Sequence, residues 1–403
     1  MSKLTPAKIT PSSPEKGEEQ PRKKVKLKRK KWATAALPGG EIPSTNPSLD
    51  VLMKGVGAIS FSAKPETVIV PTSLPGLNRA LKIGGVPAGT IMLVHGPSIG
   101  GKTALGLAIA RSFQLGGHVA MFVDAEHSLQ QTLVDGCLVD SDQLQYVAPL
   151  TYEETAEKVE KAISNLRDGR KSGDIHHSVC LLIIVDSITK LVPESELKAL
   201  SEVGKGYPLR ALMNTVWLDR LTPMIGSLPI LFMMFAHEKV KIDAAPFEKK
   251  YTVKGGKALI YDSSVIIRVQ EVEKKKRTVA GKKVIVGSVH QGVVEKSKLD
   301  ISAEKFRFVM GKGKCGYPVG FDYCEDVVEE AKLRGSDSPI ERTTSGVWKH
   351  DLLPGGSIKG DAALVDWLRR NPDVVDSFVT ELNETAIDVV IEEEEGEEGE
   401  EDE

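Results

Sequence analysis

The stretch that decides the fold is Ile91-Met92-Leu93-Val94-His95-Gly96-Pro97-Ser98-Ile99-Gly100-Gly101-Lys102-Thr103. An apolar run of strand length enters a glycine-rich loop, and a helical pattern follows over 102–114. Glycines let backbone N–H groups turn inward around phosphate oxygens, and the helix N-terminus adds partial positive charge. The pattern G-x-x-x-x-G-K-[ST] in this setting predicts a loop that binds nucleotide phosphates. Its predicted contacts are Gly96, Pro97, Ser98, Ile99, Gly100, Gly101, Lys102, Thr103 and Ala104.

Two further strands end in acidic residues. Leu181–Asp186 is apolar up to its last residue, and Asp186 is placed to hold Mg²⁺ beside the Thr103 hydroxyl. Asp124-Ala125-Glu126-His127 follows another apolar strand. Because carboxyl ends of parallel strands meet at one sheet edge, these acids are expected near the phosphate loop. Glu126 is our choice for the residue that orients an attacking water, with Asp124 as its structural partner.

The order of apolar and helical patterns predicts an α/β fold. The strands are continuous apolar runs rather than alternating ones, which favours a mainly parallel sheet with helices on both faces. Predicted helices cover 75–81, 102–114, 152–165 and 209–221. Predicted strands cover 91–95, 118–124, 179–186, 229–236, 263–269, 283–289, 292–298 and 305–310. After about residue 320, short helices and turns predict a second, smaller domain.

Composition excludes several classes of protein. The chain has 403 residues, 41% hydrophobic and 27% charged, which is typical of globular proteins. No run approaches the roughly 20 apolar residues of a membrane span, and no secretory signal is expected. Four cysteines form no CxxC pair, so reduced structural thiols are expected.

Charge is segregated towards the two ends of the sequence. Residues 1–32 carry a net +8, residues 388–403 carry −11, and the whole chain carries −3, so the middle is neutral. Both ends are predicted to be disordered. The basic run 22–31 fits three interpretations that one sequence does not separate: first a solvated arm, then a nucleic-acid arm, then a nuclear import signal.

Taken together, these motifs resemble the RecA family of homologous-recombination ATPases. Similar stretches lie outside the nucleotide motifs as well, at 66–73, 84–89, 255–259, 346–348 and 363–372. The resemblance covers roughly residues 48–382. It implies a RecA-type P-loop ATPase core with a mainly parallel central sheet, a short N-terminal helix–strand element and a small α/β C-terminal domain. The implied boundaries are a disordered basic arm (1–46), an oligomerisation element (47–70), the core with two DNA loops (71–318), the C-terminal domain (319–386) and a disordered acidic tail (387–403).

The resemblance also implies roles for single residues. Glu126 corresponds to the catalytic glutamate, and His237 to the polar switch residue that senses the γ-phosphate. Lys296 and Lys298 correspond to a lysine pair that reaches a neighbouring subunit's ATP, so the site is completed only in an oligomer. The chain departs from the family at one position near the adenine. Members of the family have a tyrosine there, and this chain has Leu133.

Two long loops correspond to the family's DNA loops, at 194–208 and 238–256. Basic side chains there can pair with phosphates, and aromatic or apolar ones can stack or wedge between bases. The alternative is an ordinary charged surface loop. The predicted DNA contacts are Lys205, Tyr207, Arg210, Lys239, Lys241, Ile242, Phe247, Lys254, Gly255 and Gly256. A further basic segment, Lys274–Arg277 with Lys282 and Lys283, is predicted to flank a solvated hairpin tip.

The function implied is an ATP- and single-stranded-DNA-dependent recombinase, with Mg²⁺ as cofactor. It would form helical filaments, pair with homologous double-stranded DNA and exchange strands, while DNA stimulates ATP hydrolysis. A single-stranded-DNA-binding protein and a loader are further expected partners, and a membrane is not. The expected location is the cytoplasm of a bacterium or a phage-infected cell. Two alternatives stay open: a hexameric DNA motor or helicase with the same core, and an assembly protein that binds ATP without hydrolysing it.

Overall fold

The computed structural model describes residues 67–198, 207–241, 251–279, 281–298 and 304–395. All of them belong to one compact unit that starts at Glu66. The predicted basic arm, the helix and strand expected at 48–61, and the end of the acidic tail lie outside the described residues. The same is true of three predicted DNA contacts, Lys205, Ile242 and Phe247.

A short antiparallel pair, β1 (Ile69–Val70) with β2 (Val86–Pro87), precedes the main sheet. Among the described residues the main sheet has ten strands in the order β12-β11-β10-β9-β3-β7-β6-β4-β5, with β8 paired to the end of β7. Its strands are β3 (Thr90–Gly96), β4 (Val119–Asp124), β5 (Leu144–Val147), β6 (Leu181–Asp186), β7 (Ile230–Val240), β8 (Tyr251–Val253), β9 (Val265–Val279), β10 (Lys282–Ser297), β11 (Lys305–Lys312) and β12 (Val319–Phe321). Three short strands form a separate sheet: β13 (Glu341–Arg342), β14 (Val347–Lys349) and β15 (Ser357–Lys359).

Helices cover both faces of the main sheet. They are α1 (Pro75–Leu81), α2 (Lys102–Leu115), α3 (Gln131–Gly136), α4 (Tyr152–Ser172), α5 (Glu194–Lys198), α6 (Tyr207–Gly226), α7 (Ala258–Asp262), α8 (Tyr323–Arg334), α9 (Asp361–Leu368) and α10 (Pro372–Glu395). The last helix therefore continues into the segment predicted as tail. Among the described residues, no helix has the length and apolarity to cross a membrane.

The middle of the sheet is parallel, as the continuous apolar strands predict. Strands β9, β3, β7, β6, β4 and β5 run parallel to their neighbours, whereas β10, β11 and β12 are antiparallel additions. In β6 all six residues are buried, because apolar side chains cover the strand on both faces. Parallel strands bring the carboxyl ends of β3, β4, β6 and β7 to one edge, which is where the predicted nucleotide residues lie.

Two hydrophobic clusters lie on opposite faces of the sheet. One contains Phe232 and Met234 of β7 with Trp217 of α6. The other joins the sheet and α2 to Trp348 of β14 and Phe378 of α10, so C-terminal elements share this core with the sheet.

Two predictions of element boundaries were wrong. Helix α4 runs past residue 165 because its stop is Gly173, which has a left-handed φ of 87° and follows Arg170 and Lys171. Residues 283–298 form the single strand β10 rather than two strands. Gly292, the first residue of the second predicted strand, lies inside β10, where an added Cβ would lie 2.2 Å from the Phe306 ring.

The basic hairpin β9–β10 is not simply a solvated tip. Lys275 forms an ion pair with Glu325 of α8 at 2.9 Å. Arg277 pairs with Asp366 of α9 at 3.1 Å and also donates to the Cys315 carbonyl. The hairpin therefore contacts C-terminal helices through its lysine and arginine side chains.

Candidate functional site

The phosphate loop lies between the end of β3 and the start of α2. Gly96 packs against β9 so closely that an added Cβ would lie 1.9 Å from the Val269 carbonyl oxygen. Gly101 precedes the helix with a φ of 97°, a left-handed conformation that favours glycine. Ile99 is 83% exposed at the loop tip. The glycine spacing thus meets steric demands at these two positions, and α2 points its N-terminus at the loop.

Lys102 is folded into this loop and is only 6% exposed. Its Nζ donates to the carbonyl oxygens of Gly96 and Pro97 at 3.1 and 2.9 Å. Burial lowers the pKa of this ammonium, while the acidic neighbours Asp186 and Glu126 oppose the shift. A lysine held between acidic side chains and loop carbonyls is placed to meet phosphate oxygens.

Thr103 and Asp186 lie together at the same edge. The Thr103 hydroxyl donates to Oδ2 of Asp186 at 2.6 Å. Burial raises the pKa of the Asp186 carboxyl to about 6, against the opposing effect of the Thr103 hydrogen bond. Two oxygen ligands converge where the sequence predicts Mg²⁺. Among the described residues no group of three or more His, Cys, Asp or Glu is placed to hold a metal.

Glu126 is held by two hydrogen bonds to one oxygen. His237 Nε2 lies 2.7 Å from Oε1, and the Ser187 hydroxyl donates to the same atom at 2.7 Å. The His237 hydrogen bond is the largest cause of a lowered pKa of about 2 for this carboxyl, and Ser187 and Lys190 lower it further. Glu126 is therefore a carboxylate at any physiological pH, in contact with the residue predicted as the switch.

Asp124 accepts hydrogen bonds within the turn that follows β4. Its carboxylate accepts from the backbone N–H groups of Ser128 and Leu129 at 3.2 and 2.9 Å. Tyr146 of the edge strand β5 donates to it as well, at 3.1 Å. These bonds shape the turn after β4 that presents Glu126.

A cavity of about 460 Å³ opens beside His237. It is lined by Lys190 after β6, by Lys239 of β7 and by the backbone turn at Gly255 and Gly256. Asn214 of α6 fixes that turn, because its amide donates to the Gly255 carbonyl at 2.7 Å and its oxygen accepts from Tyr152. Five predicted DNA contacts line this one cavity: Arg210, Lys239, Lys254, Gly255 and Gly256.

The remaining predicted DNA contacts are placed less uniformly. Arg210 is engaged with Glu196 of α5 through two hydrogen bonds of 2.9 and 2.7 Å. Lys241 is exposed at the end of β7. For Tyr207 the structure describes the backbone, which starts α6, and not the side chain.

Lys296 and Lys298 lie away from the phosphate loop. Lys296 donates to the carbonyls of Ile260 and Tyr261 at the end of α7. The backbone N–H of Lys298 bonds to Ser264, beside the start of β9, whereas Gly96 meets β9 at Val269. Five strand residues separate these points, about 16 Å. One subunit therefore does not bring the lysine pair to its own nucleotide loop.

Sequence analysis missed Ser187, Lys190 and Asn214. Ser187 directly follows Asp186, so its position at the strand's carboxyl end was a usable signal. Asn214 was detectable as a polar residue on the apolar face of a predicted helix. Lys190 could not be identified from the sequence, because its charge acts on Glu126 only through the course that the chain takes after β6.

A glycine-rich loop between a parallel strand and a helix, with an acid at each of two neighbouring strand ends, defines a P-loop nucleotide hydrolase. The family model described as RecA N-terminal domain matches residues 54–313. Protein RecA of Thermus aquaticus is 31% identical over 343 residues, covering 83% of this chain and 91% of that protein. Protein RecA of Symbiobacterium thermophilum is 30% identical over 325 residues, covering 78% and 83%. The chain belongs to the RecA family.

Membership confirms four predictions: the family, the fold class, recombinase function and enzymatic activity. RecA-family proteins are recombinases that act on single-stranded DNA with ATP, and they are DNA-dependent ATPases. ATP dependence, single-stranded DNA binding and filament formation follow at the level of the family. Nothing among the described residues favours the hexameric motor or the non-catalytic assembly protein.

Proposed function

We propose that the recombinase activity of this chain depends on one connected site. Lys102, Thr103 and Asp186 bind the nucleotide in this site. Glu126 and His237 respond to whether the nucleotide is bound. The observation that carries this proposal is the 2.7 Å contact between His237 and Glu126. His237 also lines the cavity that holds five predicted DNA contacts. A single side chain thus touches the catalytic carboxylate on one side and the DNA-facing cavity on the other.

The residues divide the chemistry of ATP hydrolysis among them. Lys102 and the loop N–H groups neutralise charge on the transferred phosphoryl group. Glu126, a full carboxylate, orients the attacking water through its oxygens. His237 can exchange its contact with Glu126 for one with the γ-phosphate, and that exchange frees the carboxylate when ATP is bound. DNA bound in the cavity would change how readily His237 leaves Glu126 for the γ-phosphate.

Mg²⁺ is the proposed cofactor, with Thr103 and Asp186 as its protein partners. The fit rests on the two oxygens 2.6 Å apart and on their position beside Lys102. When bound, the ion neutralises charge on the β- and γ-phosphate oxygens. Asp186 supplies a buried carboxylate for this, and the ion would hold that carboxylate in its charged form.

The neighbouring subunit is proposed to complete the site. Lys296 and Lys298 lie at the sheet edge remote from their own phosphate loop, next to Tyr261, which is 66% exposed. In a head-to-tail assembly this edge of one subunit faces the nucleotide edge of the next, so the lysines would reach the neighbour's ATP. Double-stranded DNA is the proposed second substrate. A single-stranded-DNA-binding protein and a loader are proposed partners, in the cytoplasm of a bacterium or phage-infected cell.

The test compares two histidine–glutamate pairs of similar geometry. His237→Ala should leave ATP binding near normal and remove most of the stimulation of hydrolysis by single-stranded DNA. His350→Ala is the matched control, because His350 lies 2.8 Å from Glu381 on C-terminal elements. Equal loss of stimulation in both variants would refute the proposed role of His237. Electron microscopy with a slowly hydrolysed ATP analogue should show open helical filaments, and closed rings would support the motor instead.

A further inference from the structure

A group of four largely buried ionisable residues lies beside the nucleotide loop and spans the neighbouring strands β7, β3, β9 and β10. His95 Nδ1 lies 2.9 Å from Glu238 of β7, and its Nε2 lies 3.2 Å from Glu295 of β10. Arg268 of β9 donates to Glu238 at 2.8 and 3.2 Å. We call His95, Glu238, Arg268 and Glu295 the buried quartet.

The strand periodicity explains why these four meet. Strands β10, β9, β3 and β7 are neighbours, and His95 is level with Ala236 on one side and Arg268 on the other. His95, Glu238 and Arg268 continue the rows of Leu93, Ala236 and Ile266, which belong to one hydrophobic cluster. The apolar face of the sheet thus ends in charged side chains at its carboxyl edge.

Charge balance keeps the quartet together. The side chains are 1%, 7%, 16% and 15% exposed, in the order His95, Glu238, Arg268 and Glu295. Two carboxylates and one guanidinium are neutral together only if the imidazole is charged. Burial opposes that charge, yet the hydrogen bonds to Glu238 and Glu295 and the charges of these two carboxylates outweigh it and raise the pKa of His95.

Tyr251 extends the quartet to the second predicted DNA segment. It is the first residue of β8, the strand that pairs with the end of β7 where that segment returns to the sheet. Its hydroxyl donates to Glu295, and the Arg268 guanidinium lies 4.0 Å from its ring centre. The strand on the return side of the predicted DNA segment is therefore attached to the quartet.

The quartet also touches the nucleotide machinery on two strands. His95 immediately precedes Gly96 of the phosphate loop, and Glu238 immediately follows His237. Lys102 is close enough to Glu238 for the carboxylate to oppose the lowering of the lysine's pKa. A shift of β8 would therefore reach the phosphate loop through His95 and would reach His237 through Glu238.

We propose that the buried quartet and Tyr251 are positioning residues that couple DNA binding in the cavity lined by β7 and β8 to the nucleotide loop and His237. This inference rests on the proposed function and adds the physical link within it. In this role the residues act through their neighbours, and they set how strongly one ligand affects the affinity for the other. Coupling of this kind is reciprocal, so the effect of DNA on ATP affinity equals the effect of ATP on DNA affinity.

The test substitutes Tyr251→Phe, which keeps the ring over Arg268 and removes the hydroxyl. Tyr317→Phe is a closely matched control: Tyr317 donates to Glu325 at 3.1 Å, and the Arg369 guanidinium lies 4.0 Å from its ring. Affinity for single-stranded DNA is measured with and without a slowly hydrolysed ATP analogue, and the ratio is the coupling factor. Thermal melting checks that each variant is folded.

Tyr251→Phe should lower the coupling factor about tenfold, the scale of one hydrogen bond to a charged group, while DNA affinity without nucleotide and basal hydrolysis stay within about twofold. Tyr317→Phe should leave the coupling factor unchanged. Glu295→Gln, which keeps the shape and removes the charge, should lower it as well. An unchanged factor in Tyr251→Phe, or an equal loss of DNA affinity with and without nucleotide, would overturn the inference. No coupling in the unsubstituted protein would instead refute the proposed function.

Discussion

Mixing two inactive variants gives a direct test of a shared site between subunits. Lys298 bonds to β9 about 16 Å along that strand from the point where the phosphate loop meets it, so the proposed function assigns it to a neighbour's ATP. Lys298→Ala should keep nucleotide affinity and lose DNA-stimulated hydrolysis by about 10- to 100-fold, as expected for one contact to a charged group. Glu126→Gln should be inactive for a different reason, because its defect lies on the opposite face.

The size of the recovery follows from the geometry of a head-to-tail assembly. An interface is intact only when a subunit with normal Glu126 meets a neighbour with normal Lys298. When the two variants co-assemble at random in equal amounts, about one quarter of the interfaces are intact. Unequal mixtures give a smaller fraction of intact interfaces. Hydrolysis with saturating single-stranded DNA should therefore peak near one quarter of the unsubstituted rate at equal mixing.

The assay needs a control lysine and proof of co-assembly. Lys312→Ala, an exposed lysine on β11, should behave like the unsubstituted protein alone and in mixtures. Co-assembly is checked by energy transfer between differently labelled subunits. If the variants co-assemble and no activity returns at any ratio, Lys298 and Glu126 do not share an interface, and the proposed completion of the site by a neighbour is wrong.

Three further results are expected. Lys102→Ala should abolish ATP turnover with an unchanged far-ultraviolet circular dichroism spectrum; turnover within about threefold of normal would contradict its role at the phosphates. Glu126→Gln should still bind ATP and DNA in equilibrium titrations but turn over about 10²-fold more slowly, and a variant unable to bind ATP would show Glu126 to be structural. His95 has a raised pKa, so its stabilising charge is present below about pH 6.5 and is lost as the pH rises through the higher value of the folded state. The melting-temperature difference between the unsubstituted protein and His95→Gln should therefore shrink between pH 6 and pH 9, and a constant difference would contradict the charged imidazole.

Sequence patterns predicted the parallel half of the sheet well. Strands such as Leu181–Asp186 are buried on both faces, so their apolar sequence is enough to predict that they lie inside the sheet. The glycine-rich loop predicted both its neighbours and its chemistry, because few other arrangements require that spacing. The end of α4 was harder to predict, because Asn165 and Gly173 are both residue types that can end a helix. Leu166 is buried in the helix, which continues to Gly173.

Side-chain networks between distant strands were not predictable from one sequence. His95 looked like an ordinary member of a strand, and its partners Glu238 and Glu295 are 143 and 200 residues away. Ser187 directly follows an apolar strand, yet its bond to Glu126 depends on the pairing of β4 with β6. Such contacts follow from strand order, which local patterns do not determine.

The core shared between the sheet and the C-terminal elements limits how this chain can be divided. Leu77 of α1 and Phe308 of β11 belong to the same apolar cluster as Trp348 and Phe378. Asn78 of α1 also bonds to Asn383 of α10 at 2.8 Å. A chain ended at residue 318 would leave a broad apolar face open to water, a surface of the kind that drives aggregation. The C-terminal segment is consequently not an exchangeable module: transplanting it from a relative means repacking the cluster on both sides of the join.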